Sequence, residues 1–150
     1  SVVDAFVAKL NPQGTELVFS TLLGGSSADR GGDIGLDGAG NVYVAGSTTS
    51  PDFPLQNPLQ DEYSDADYGM ATDSFIAKLT PDGTSLFYST YFGAEGFDSA
   101  LGFDVGRDGS VYLAGSVDSP SPGFPLAGKP YQSTNLGIRS AFIAKISDAP

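Results

Sequence analysis

The chain has no cysteine and no histidine. Without cysteine there is no disulfide, no zinc–thiolate site and no thiol nucleophile, and redox compartment cannot be read from thiol usage. Without histidine the commonest general base and metal ligand is missing. Together the two absences exclude most familiar hydrolase and oxidoreductase constellations, and the chain reads as a non-enzyme. Positive charge is also scarce: seven Lys and Arg against 18 Asp and Glu leave a net charge of −11. That balance repels a phosphate backbone and an anionic bilayer, so no nucleic acid partner is expected. Long apolar runs are lacking, since uncharged stretches such as 17–28 fall short of the roughly 18 residues a membrane span requires, and no membrane insertion is expected. The sequence opens at Ser1 with neither methionine nor a signal peptide, which leads to the expectation of a processed or excised segment.

What is present is turn chemistry and repetition. A length of 150 residues allows one ordinary domain or a piece of a larger one, and 40% hydrophobic with 17% charged residues supports a packed core. Twenty glycines and ten prolines punctuate the backbone too often for long helices. Asp4-Ala5-Phe6-Val7-Ala8-Lys9-Leu10 returns as Asp73-Ser74-Phe75-Ile76-Ala77-Lys78-Leu79 and as Ser140-Ala141-Phe142-Ile143-Ala144-Lys145-Ile146, at spacings of 69 and 67. The blocks 14–21 and 83–90, and 41–47 and 110–116, also repeat 69 apart, and a Phe-Pro-Leu follows in each copy at 53–55 and 124–126.

Each block is a short β-branched and aromatic run closed by a turn signal. Asn11-Pro12-Gln13-Gly14 and Thr80-Pro81-Asp82-Gly83 read as hairpin turns with a left-handed glycine last, and 36–41 and 105–110 give a second pair through Gly40 and Gly109. One full copy supplies four strands, at 33–37, 41–47, 73–79 and 85–92, and no segment has a helical apolar period. Repeated four-stranded antiparallel units, apolar on both faces, are what a β-propeller blade requires, because neighbours cover both sides. The predicted fold is all-β, of propeller type.

The motifs at 4–10, 20–25, 40–46 and 52–54 resemble those of the bacterial β-propeller repeat family known as the SBBP repeat. The resemblance covers nearly the whole chain. Departures are Gly93-Ala94 for a double glycine and Ser140 for an aspartate. It implies an exported protein at a bacterial or archaeal surface, extracellular or on the cell, and supplies no catalytic residues.

With 33–37 as the innermost strand, the chain divides into two outer strands (1–25), one complete blade (32–92) and three strands of the next (101–146), about two blades plus one strand. Closed propellers typically need about four to eight blades, so the expected partners are copies of the same chain or adjacent blades of a longer array, joined head to tail through blade edges into a ring or filament.

The long connections differ between copies. Asp61, Glu62, Asp65 and Asp67 are candidate calcium ligands, hard oxygens on one loop, without the spacing of an EF-hand; a solvated acidic loop is the plainer reading, and no other cofactor is expected. Tyr63, Tyr68 and Tyr131 are loop aromatics that would serve a glycan-binding surface, the second functional reading. Lys129 and Arg139 make the second connection nearly neutral, so that it would face the acidic first connection where unlike blades meet. Lys9, Lys78 and Lys145 recur at one strand position, which favours ion pairs or stem packing over a catalytic amine. Asp33 and Asp37 bracket a hairpin, a structural role rather than a glycosidase pair. Tyr43 and Tyr112 lie inside strands and are expected in the core.

Overall fold

The computed structural model describes residues 3–64, 71–118, 124–134 and 137–147. These hold nine strands and no helix: β1 (Ala5–Leu10), β2 (Leu17–Leu23), β3 (Asp29–Leu36), β4 (Val42–Thr48), β5 (Asp73–Leu79), β6 (Leu86–Phe92), β7 (Asp98–Val105), β8 (Val111–Asp118) and β9 (Arg139–Ile146). They form three antiparallel sheets, β1-β2, β3-β4-β5-β6 and β7-β8-β9. Every hydrogen-bonded neighbour is also the next strand in sequence, as expected where each strand is joined to its partner by a turn or a single connection.

The strands lie where the apolar runs placed them, except at the inner strand. β3 starts at Asp29 rather than 33, and β7 at Asp98 rather than 101. The reason is a bulge: the register of β3 on β4 slips between Gly31 and Asp33, and that of β7 on β8 between Ala100 and Gly102. An extra residue breaks the alternation of side chains, so the first half of each strand does not read as a strand.

Two cores separate the sheets. One joins Ala5, Val7 and Leu23 of the first sheet to Val42, Val44, Phe75, Ala77, Leu79 and Tyr91 of the second. The other joins Tyr43, Ala45, Ile76 and Phe92 of the second sheet to Val111, Leu113, Val117 and Phe142 of the third. Thus every residue of β5 is buried, odd and even alike, whereas β1 and β9 alternate. Sheet covered on both faces loses its polar side, which is why the alternation expected of a half-exposed strand is missing in β5. The Phe-Pro-Leu segment plugs the core: Phe53 lies 4.5 Å from Phe75, and Phe124 lies 5.0 Å from Phe142.

The turn glycines carry positive φ, 70° at Gly14, 82° at Gly40, 69° at Gly83 and 80° at Gly109. Gly14 and Gly83 share the conformation and differ in surroundings. A Cβ on Gly14 would meet nothing within 4 Å, whereas one on Gly83 would stand 2.5 Å from the Phe19 ring of the neighbouring sheet. Gly14→Val is therefore expected to lose about 1 kcal/mol, the cost of a left-handed side chain, and Gly83→Val more than that. Thermal unfolding followed by circular dichroism checks the order; equal melting temperatures for the two variants would show that Phe19 does not press on the turn.

Candidate functional site

The repeat allows each residue to be compared with its counterpart in another sheet. Phe6 and Leu22 are cross-strand partners in the first sheet and are 70% and 71% exposed. Their counterparts in the middle sheet, Phe75 and Tyr91, are partners in the same way and are both 0% exposed. On the last sheet it is the opposite face that is bare: Ile143 is 87% and Tyr112 44% exposed, where the counterparts Ile76 and Tyr43 are both 0%. At both internal joints the Val or Ile face of one sheet packs on the Phe face of the next. The chain thus presents one unfilled Phe face and one unfilled Ile face, the two halves of a joint it makes twice internally.

Beside the first sheet lies a cavity of 640 Å³ lined by Val7, Lys9, Leu10, Phe19, Ile34, Leu36 and Val42, among others. It opens along β1, whose counterpart β5 is paired there by β4. The cavity lies between β1 and the inner strands β3 and β4 of the middle sheet.

Two of the recurring lysines stack on tyrosines. Lys78 Nζ sits 5.0 Å above the Tyr43 ring and 3.7 Å from Asp37 Oδ2, with both charged side chains nearly buried. Lys145 Nζ sits 5.2 Å above Tyr112 in the same register. Lys9 donates instead to the Pro81 carbonyl at 3.2 Å, across the joint to the next sheet. Asp37 closes the β3–β4 turn. Although burial opposes its charge, hydrogen bonds from the Asn41 side chain and N–H, the Ala39 N–H and the Tyr43 hydroxyl hold its carboxyl below the usual range. Asp33 accepts from the N–H of Ile34. Asp37 serves the hairpin turn, whereas Asp33 lies exposed at the β3 bulge; Tyr43 is core as expected, and Tyr112, on the bare face, is not.

The joints are also tied by backbone. Asp98 N–H donates to the Thr72 carbonyl at 2.7 Å and Thr72 N–H to Gly96 at 3.0 Å, so the entry to β7 lies beside the entry to β5. At the preceding joint Asp29 N–H donates to Val3. Each joint carries two aspartates around a glycine, Asp4 and Asp29 at Gly24, and Asp73 and Asp98 at Gly93. Sequence reading passed over Asp29 and Asp98, because they precede the bulge; their spacing of 69 was the available signal.

The acidic connection after β4, where calcium ligands were expected, is described only in part. Asp61 and Glu62 are exposed, Asp65, Asp67 and Tyr68 lie outside the described residues, and no group of three or more acidic side chains among the described residues is arranged to hold a metal. Nor is its described part loose: the N–H groups of Leu59 and Gln60 donate to Thr90 Oγ1 at 3.0 and 2.9 Å. Tyr63 turns inward, its hydroxyl donating to the Ala71 carbonyl and its ring 5.8 Å from Tyr91, since a buried tyrosine needs a partner for its O–H. It is not an open loop aromatic. Lys129 and Tyr131 are exposed. Arg139 is engaged within its own sheet, its Nε 2.5 Å from Asp118 Oδ1 and its Nη2 3.1 Å from Oδ2, so its charge is balanced locally rather than left for another connection.

Antiparallel sheets of two, four and three strands, stacked face on face and built from one repeated sequence, define a β-propeller-type repeat fold. The family model described as Beta-propeller repeat (SBBP) matches residues 18–54, which run from the outer strand of one sheet across the joint to the inner pair of the next and on to Phe53. No curated protein matches the chain.

Proposed function

We propose that the protein is a structural, non-enzymatic repeat of an extracellular or cell-surface assembly, stacked head to tail so that the Ile143 face of one blade covers the Phe6 face of another. The single observation that carries this reading is the pair of bare faces, complementary to each other and identical in kind to joints already made inside the chain. Affinity comes from the faces, because the apolar side chains lie there; the strand edges set register. A free strand edge alone gives hydrogen bonds without much apolar burial. The partner is another blade of the same repeat, carried by a second copy or an adjoining repeat. No metal or other cofactor enters this reading.

Sedimentation of the purified chain over a range of concentrations tests it, with electron microscopy of the product. Self-association without added ligand or metal, giving rings or filaments whose repeat is a whole number of blades, is the expected result. A chain that remains monomeric up to high concentration overturns the head-to-tail reading.

A further inference from the structure

Asp73 opens β5 and Asp98 opens β7, and they meet at the joint between the middle and last sheets with 0% and 1% exposure. Asp73 Oδ2 accepts from Ser64 N–H at 3.0 Å and from Gln60 Nε2 at 3.5 Å, and Asp98 Oδ2 accepts from Ala94 N–H. The other oxygen of each, Oδ1, is buried without a hydrogen-bond partner. Both carboxyl groups converge on one glycine: a Cβ on Gly93 would stand 2.7 Å from Asp98 Oδ2 and 2.9 Å from Asp73 Oδ1.

Among the described residues no positive charge acts on either carboxyl. From β6, Tyr91 faces Asp73; from the end of β8, Asp118 faces Asp98; Asp29 and Asp52 act on Tyr91 from the far side. Arg139 on β9 is taken up by Asp118. Two adjacent carboxylates in an apolar joint, both ionised and each with an idle oxygen, would repel each other and forgo two hydrogen bonds. One proton held between the two carboxyl groups removes the repulsion.

We propose that Asp73 and Asp98 hold a single proton between their two carboxyl groups, making this joint a pH-sensitive latch that is closed in mildly acid solution and loosened in alkaline solution. The latch lies within one chain and does not rest on the head-to-tail reading. Burial is the main cause that pushes Asp98 up to about 7, with the charge of Asp73 adding to it, and burial pushes Asp73 up to about 6. Both values lie above the ordinary 3.8, so the folded chain holds its proton more tightly than the unfolded one. The stabilisation is complete below the ordinary carboxylate range and is lost as pH rises through about 6 to 7. Asp37, Asp52, Asp82, Asp108 and Asp118 are shifted the other way, so their contributions change only in more acid solution.

The test is urea unfolding of the full chain between about pH 5 and about pH 8, with Asp98→Asn and Asp73→Asn beside the wild type. The folded-to-unfolded ratio of the wild type is expected to fall at least about tenfold over that range. Either asparagine supplies a permanent N–H donor to the remaining carboxylate, so each variant should lose most of that slope and exceed the wild type at the alkaline end. Infrared spectra of the wild type at about pH 5 should show a protonated-carboxyl stretch that Asp98→Asn lacks. Variants that keep the wild-type slope overturn the latch. So does a wild type whose alkaline stability is restored by millimolar calcium, which would assign the pair to a metal; should one variant not fold, the other and the infrared band decide.

Discussion

Ile143→Glu chains should stay monomeric under conditions where the wild type assembles, while their β-type circular dichroism is unchanged. Ile143 is bare in the single chain, so a carboxylate there costs the monomer little. In the assembly it would lie where Ile76 lies at the internal joint, at 0% exposure. Losing that isoleucine forfeits about 1.5–3 kcal/mol of apolar burial, and burying an unpaired charge costs several more. The association constant should fall by at least about a hundredfold. Phe6→Glu should do the same from the other side, because Phe6 stands in the monomer as Phe75 stands in the joint, with its environment removed. The two variants together give the sharper result. Each keeps the face that the other has lost, so a heterologous contact predicts that equal amounts mix into dimers and stop there. Dimers formed by either variant alone would show that like faces meet, and would replace the head-to-tail arrangement with a two-fold one.

The second large effect lies inside the middle sheet. Gly46 of β4 is buried between strands, opposite Gly31 on β3 and Phe75 on β5. A Cβ there would overlap the carbonyl oxygen of Arg30 and lie 2.7 Å from the Phe75 ring. The ring fills the space that a glycine leaves, and the bulge after Gly31 brings the opposing backbone close. Neither neighbour gives way easily, since one is main chain and the other is packed against Phe53. Gly46→Ala is therefore expected to destabilise by about 3 kcal/mol or more, beyond ordinary overpacking because backbone has to move. Set against a typical total of about 5–15 kcal/mol, that threatens folding itself. Gly115 is the counterpart, with Ser99 and Phe142 as neighbours. Its replacement should act mainly on β7 to β9, which among the described residues form a three-stranded sheet with one bare face, so hydrogen exchange should quicken there before it does in β4 and β5. Equal stability of Gly46→Ala and wild type would mean that the bulge absorbs a methyl group, and that the Phe75 ring is not fixed.

Much of this fold was legible because the repeat measures itself. Val42 to Thr48 and Val111 to Asp118 announce strands by composition, and the turn glycines announce their hairpins by position. What could not be read was the partner of each residue. Phe6 and Phe75 occupy one place in the motif, yet one is bare and the other sealed; only the stacking order separates them. Tyr63 looked like a loop aromatic because hydropathy cannot show that a loop folds back on the sheet. Asp73 was visible as the first letter of a repeated word. Its meeting with Asp98 was not, since the two belong to different sheets and the bulge hides the start of β7. The charge of the 48–72 connection drew attention to Asp61 and Glu62, which are solvated, and away from aspartates that carry fewer charged neighbours and far less water.

The sequence period and the sheet are out of step. The matched segment, residues 18–54, begins on the outermost strand of one sheet and ends past the inner pair of another. A gene segment of that phase, when copied, does not add a finished slab to a stack. It adds the hinge between two slabs, with half of each attached, and every insertion must be completed by the material on both sides. Lengthening such a protein by duplication keeps all hinges of one kind while the end pieces stay open, so a change in the number of units leaves the rule of contact untouched. Size can drift in evolution more freely than the joint can.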